Sequence, residues 1–255
     1  MPTTATTKPR RAVLLVAGIG SRLGKLTTEV PKCLVEVNGI SILENALAHL
    51  GTAGISETVL VVGYRDDLIR NRVGDAIGRM RIAYRTNPEF RSTSTSRSLW
   101  LGLKDLDDDV LVLEGDVFFE RCVLERFLAV PAVDATLVDP WRPGLDGSLV
   151  QIGPDRIVRA WLHKKEQPPG FSPNGTYKTV NVHRFSSGFV RQWLRPALTA
   201  QVSADGGREP IETVFAGMVR DGAHIHAADV AGRWVEIDDE MDLRSAVALF
   251  GGSAR

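Results

Sequence analysis

Segments near opposite ends of the chain carry residue types suited to phosphate chemistry. One reads Gly18-Ile19-Gly20-Ser21-Arg22-Leu23, directly after an apolar run, with Pro31-Lys32 about ten residues on. A glycine turn after a strand exposes backbone N–H groups that cradle an anion. Arg22 can grip phosphate oxygens with two parallel donors, and Lys32 adds a compact point charge. Asp116 ends a second apolar run, LVLEGDVFF. Glu236 and Asp238 stand in WVEIDDEMDL, where strand alternation puts both on one face. Mg2+ takes one or two such carboxylates together with phosphate oxygens. These types predict a metal site from Asp116, Glu236 and Asp238 beside the cations Arg22 and Lys32.

Blander readings compete with this one. The dinucleotide fingerprint wants glycine where Leu23 stands, and the P-loop is broken by Ile19 and Leu26. A plain strand-to-helix turn with solvated Arg22 and Lys32 remains. Asp238 or Asp239 is a natural cap for the last helix, with Asp242 in its first turn. His224 and His226 alternate along AHIHAADV, but no third ligand is near in sequence, and a half-exposed strand explains them.

The whole chain sets bounds. It has 255 residues, 44% of them apolar, enough for one large α/β domain or two small ones. Acidic and basic residues balance at 31 each, which argues against general nucleic-acid binding. The only cysteines, Cys33 and Cys122, form no CxxC pair, which suits a reducing cytoplasm. No stretch approaches the roughly 20 apolar residues of a membrane span. Residues 1–10 read as a disordered lead-in without the apolar centre of a signal peptide. Residues 11–250 read as a single domain.

Elements must bring these residues together. Residues 12–16, 58–62, 81–84 and 110–113 read as buried strands, and residues 41–50, 66–77 and 96–106 as helices. Ser41 with Glu44 forms a capping box. Alternating strands and helices imply a parallel sheet, with ligands beyond the carboxyl ends of its strands. The glycine loop, the polar 87–95 loop and Asp116 all fall at such ends. In the second half, residues 135–139, 148–152, 157–162, 179–182, 223–230 and 234–237 read as shorter strands. Residues 189–198, 210–220 and 239–249 read as helices. The expected fold is α/β, Rossmann-like, with a mixed, mostly parallel sheet, helices on both faces and a small acceptor lobe.

Residues 15–39, LVAGIGSRLGKLTTEVPKCLVEVNG, resemble the signature of the sugar-phosphate nucleotidyltransferase superfamily. The segments DPWRPGLDGSLV (139–150), YKTVNVHRFS (177–186) and RWVEIDDEMDL (233–243) resemble its phosphocholine and phosphonate cytidylyltransferase branch. The resemblance implies the nucleotide-diphospho-sugar transferase fold. It implies CTP as donor, CMP transfer to a small phosphate or phosphonate acceptor, pyrophosphate release and Mg2+ held by Asp116, Glu236 and Asp238. It places Val16, Ala17, Gly18, Ile19, Gly20, Ser21, Arg22, Gly63, Asn87 and Ser94 around the nucleotide, with Lys32 near the reacting phosphates. Asp139, Lys178, Asn181 and Glu212 become acceptor candidates. A homodimer stays open as an assembly.

One departure bears on the acceptor. Ser94 and Thr95 stand where the branch carries an Asn-Asn or Asn-Ser pair, and Arg97 adds a cation suited to an extra acceptor charge. Alternatively Ser94 or Thr95 caps the following helix and Arg97 faces water. Trp141, Trp161, Tyr177 and Trp234 are either a cage for a quaternary ammonium or packing residues. Two other functions fit the same residues: a sugar- or inositol-1-phosphate nucleotidyltransferase using another nucleotide, and a non-catalytic nucleotide-binding module.

Overall fold

The computed structural model describes residues 8–252, so most of the expected lead-in lies outside the described residues. The strands are β1 (Arg11–Leu15), β2 (Glu36–Val37), β3 (Ile40–Ser41), β4 (Glu57–Val62), β5 (Ala76–Ile77), β6 (Met80–Thr86) and β7 (Val110–Glu114). They continue as β8 (Val117–Phe119), β9 (Ala135–Pro140), β10 (Leu149–Ile152), β11 (Val158–Leu162), β12 (Tyr177–Phe185), β13 (His226–Asp229) and β14 (Trp234–Glu236). Among the described residues, ten strands share one sheet, in the order β11-β10-β12-β7-β1-β4-β6-β5, with β9 beside β12 and β13 beside β9. β7, β1, β4 and β6 run parallel. β12 turns antiparallel against β7, and β9 and β10 pair antiparallel with β12. This is the expected mixed α/β sheet.

The helices are α1 (Ile42–Thr52), α2 (Asp66–Val73), α3 (Thr95–Gly102), α4 (Arg121–Ala129), α5 (Ser187–Phe189), α6 (Arg195–Asp205), α7 (Ile211–Arg220) and α8 (Glu240–Phe250). A parallel strand between two helical layers must be apolar on both faces. In β1, Ala12 and Leu14 pack into the core that holds Leu47 of α1 and Phe127 of α4. Val13 and Leu15 pack into the opposite core with Leu99 of α3 and Phe215 of α7. Burying each such side chain contributes about 1.5–3 kcal/mol, which fixes β1 at the centre.

Several boundaries differ from expectation. The helix expected over 66–77 ends at Val73, because Gly74 (φ 68°) leaves the helical region and β5 follows. The helix expected over 96–106 is Thr95–Gly102. The strand expected over 223–230 shortens to β13. The helix expected over 189–198 joins α5 to α6 through a π turn at Val190–Leu194. In the second half of the chain, β9, β10, β11, β12 and β13 extend the same sheet.

Candidate active site

The loop after β1 is shaped around Lys32. Gly20 adopts φ 74°, and a Cβ there would lie 2.6 Å from Lys32 Cβ. Only glycine offers that backbone at no steric cost together with that space. Buried Thr27 donates its hydroxyl to Gly20 O at 2.9 Å and closes the loop on itself. Residues 21–27 then wind as a short 3-10 turn.

A small ribbon brings the acids to this loop. β14 pairs antiparallel with β8, setting Glu236 opposite Val117. Ile237 N donates to Asp116 O at 2.8 Å. Asp116 and Asp238 thereby meet although more than a hundred residues separate them. The cap of α8 falls to Asp239, whose carboxylate accepts from Met241 N and Asp242 N, with Asp242 returning the box. Asp238 is therefore free for the site. Lys32 Nζ lies 3.0 Å from Asp116 Oδ2 and 2.6 Å from Asp238 Oδ1, and Arg22 Nη2 lies 2.9 Å from the same Asp238 oxygen.

Asp116, Glu236 and Asp238 each bring a carboxylate oxygen within 4.8 Å of the others. Asp116 Oδ1 is buried without a hydrogen-bond partner. Three hard oxygen donors and one uncommitted lone-pair site fit a small divalent cation. Burial works against the Lys32 ammonium, but Asp116 and Asp238 outweigh it and hold its pKa above the ordinary lysine value. Burial also pushes Asp238 up, and Lys32 and Arg22 more than reverse this, leaving it below the usual aspartate value. Glu236 goes up through burial, with Asp116 and Asp238 adding repulsion against the relief from Lys178.

An open cleft of about 330 Å³ joins these groups to the 87–95 loop. Val16, Ala17, Gly18, Gly20, Ser21, Arg22, Lys32, Asn87, Ser94, Asp116 and Asp238 all line it. Asn87 is buried and organises the loop, donating to Thr93 Oγ1 and Ser98 Oγ while Glu89 N donates to its oxygen. Ser94 precedes α3, and its side chain makes no cap hydrogen bond. Val16 N donates to Val61 O at 2.9 Å. Gly63 is wedged between Phe90 and Ala17 O, where a Cβ would lie 2.7 Å from Phe90 Cβ, and neither it nor Ile19 lines the cleft.

Around Glu236 the remaining candidate side chains hold one another. Lys178 is 2% exposed, and its Nζ lies 2.7 Å from Glu236 Oε2. Asn181 donates to Glu236 Oε1 at 3.1 Å. Its left-handed backbone (φ 60°) sits where the β12–β9 register shifts, a bulge that re-aims the side chain. Asp139 accepts from Trp234 Nε1 and Arg142 Nη1, and Glu212 accepts from Ser148 Oγ at 3.0 Å. Arg97 pairs with Glu89 at 2.9 Å, lies over the Trp100 ring and does not line the cleft. No aromatic cage forms from the four candidates. Trp161 packs on Phe215 and His183, Trp234 and Trp141 donate to Asp139 and Leu145 O, and Tyr177 faces Arg156. His226 lies in β13 and joins no metal-ligating group among the described residues.

Sequence reading missed Glu114. It lines the cleft, and its Oε1 is buried without a partner. Burial first, then Glu212, Asp116 and Glu236, push its carboxyl well above the ordinary glutamate value. The available signal was an acid closing the apolar run VLVL.

A profile of the MobA-like NTP transferase domain matches residues 12–171. The chain is 43% identical over 250 residues to CTP:phosphoglutamine cytidylyltransferase of Campylobacter jejuni, covering 91% of this chain and 97% of that protein. It is 36% identical over 241 residues to CMP-5'-(3-aminopropyl)phosphonate synthase of Streptomyces rubellomurinus; that match covers 93% of this chain and spans 38% of that protein's length. In fold it is similar to the inositol-1-phosphate CTP transferase from T. maritima, with TM-score 0.74 and 19% identity, covering 98% and 100% of the two chains.

Proposed function

The chain belongs to the MobA-like NTP transferase family, and on that premise we propose that it transfers CMP from CTP to a small phosphate or phosphonate acceptor. The observation that carries this reading is Lys32 bridging Asp116 and Asp238 beside the glycine loop, in a cleft large enough for a nucleotide. The cytidylyltransferase names of the two relatives support the choice of base and acceptor class.

An ionised acceptor oxygen attacks the α-phosphorus of CTP in line. The new P–O bond forms as the bond to the β-phosphate oxygen breaks, and pyrophosphate leaves with that electron pair. The acceptor oxygen is already anionic, so no side chain need remove a proton. Catalysis is then positioning plus charge neutralisation. Lys32, kept charged by its two acids, faces the α-phosphate. Arg22 and the amides of the glycine loop hold the departing pyrophosphate. Asp116, Glu236 and Asp238 would hold Mg2+, which neutralises triphosphate charge when bound. Lys178 and Asn181 hold Glu236 in place, and Glu212 and Asp139 face the acceptor.

The test is pyrophosphate release with CTP, GTP, UTP and ATP against 3-aminopropylphosphonate, phosphocholine, phosphoglutamine and inositol-1-phosphate. CTP with one phosphonate or amino-bearing phosphate should be fastest. Asp116→Ala should lower kcat by about 10²–10³, the scale of losing one charge-stabilising group, while the fold survives. Near-normal release from that variant would refute the assignment, and preference for inositol-1-phosphate would move the acceptor to the polyol phosphates.

A further inference from the structure

We propose that Thr95 is a positioning residue for the acceptor side, acting as the N-terminal cap of a helix to which it does not belong. The inference rests on the proposed transfer reaction. α7 begins after Pro210, whose side chain makes no cap hydrogen bond. The first amides of a helix have no partner within it, and a missing cap costs helix stability. Here Ile211 N donates to Thr95 Oγ1 at 3.0 Å. Thr95 itself opens α3 and lines the nucleotide cleft.

The contact belongs to a seam. Ser94 N donates to Gly207 O at 2.8 Å, and Ser96 Oγ donates to Glu209 O. Gly207 (φ 81°) permits this approach, since a Cβ there would lie 2.7 Å from Arg97 Cβ. Three consecutive residues, Ser94 and the first two of α3, thus fix the chain entering α7. The next residue is Glu212, in the first turn of α7, which accepts from Ser148 Oγ and presses electrostatically on Glu114 at the cleft. The hydroxyl at position 95 therefore sets where Glu212 points. It accounts physically for a threonine in this loop: a short side chain that reaches a neighbouring helix's orphan amide.

The experiment compares Thr95→Val, which keeps the shape and removes the acceptor atom, with Thr95→Ser, which restores it. KM is measured separately for CTP and for whichever of the four acceptors the wild type turns over fastest. Thr95→Val should raise acceptor KM about tenfold, the size of one cap interaction, and by more than it raises CTP KM, and Thr95→Ser should return it. Amide exchange at Ile211 should quicken in Thr95→Val alone. A rise confined to CTP KM, equal rises in both, or unchanged exchange would overturn the proposal. If the wild type turns over no acceptor, the functional reading fails separately, and exchange at Ile211 still decides whether Thr95 caps α7.

Discussion

Lys32 is where the site's electrostatics are settled. Two carboxylates at 2.6 and 3.0 Å overcome its burial, so it stays charged and each acid has a partner before substrate arrives. The neighbouring acids divide the labour by one position in sequence: Asp238 faces Lys32 and Arg22, whereas Asp239 caps α8. The two should therefore separate cleanly on substitution. Asp239→Ala should lose about 1 kcal/mol of stability, seen as a lower Tm, with kcat nearly unchanged. Asp238→Ala should lose about 10²–10³ in kcat with a small change in Tm. Kinetics and thermal melts of both variants check this, and an inactive Asp239→Ala beside an active Asp238→Ala would reverse the assignment. The sequence left both aspartates open as caps, because the choice depends on which one β14 carries into the cleft.

At the scale of elements, a turn, a ribbon and a bulge position the chemistry. Gly20 lets the loop fold over Lys32, so Gly20→Ala should strain the backbone by about 1–2 kcal/mol and displace the ammonium. We expect kcat to fall at least about tenfold, since small misplacements of a catalytic group are costly; unchanged kcat/KM in steady-state assays would contradict this. The β1 loop was legible because an apolar run meeting two glycines and an arginine has few structural uses. α1 was legible from Ser41 and Glu44, whose box forms as read. α4 was not foreseen: Glu120 before it makes no cap but instead binds Arg233, so its start lacks the usual signal. The β8–β14 pairing and the bulge at Asn181 are long-range events that no local period encodes. Glu114 escaped notice because an acid ending a strand ordinarily faces water. The partners of Arg97, Glu89 and Trp100, become evident only when the loop and α3 are folded.

For the whole molecule, the site joins residues 18–32, beyond the end of β1, to residues 236–238, carried by the β8–β14 ribbon. We propose that residues 11–250 fold as one unit, giving a single unfolding transition. Its stability should fall in acid through His183, which lies buried between Trp161 and Phe215 with Thr136 Oγ1 at 2.9 Å from Nδ1. Burial lowers its pKa from 6.5 to about 3. The unfolded chain then binds a proton that the folded chain refuses, so stability is intact above pH 6.5 and declines as pH falls toward 3. At pH 5 the loss is about 2 kcal/mol, at ~1.4 kcal/mol per pH unit. Burial also lowers the pKa values of His49 and His226, so denaturant melts between pH 7 and 5 should show a slope in both proteins that is steeper in the wild type than in His183→Leu; equal slopes would contradict the role of His183. The central claim, that cations from the first strand's loop and acids from two distant segments act on one triphosphate, is tested most directly with CTP labelled at the α-phosphorus. The account predicts the label in a CMP–acceptor conjugate, unlabelled pyrophosphate, and loss of both on Lys32→Ala; label recovered as free CMP, or CTP bound without turnover by any acceptor, would contradict it.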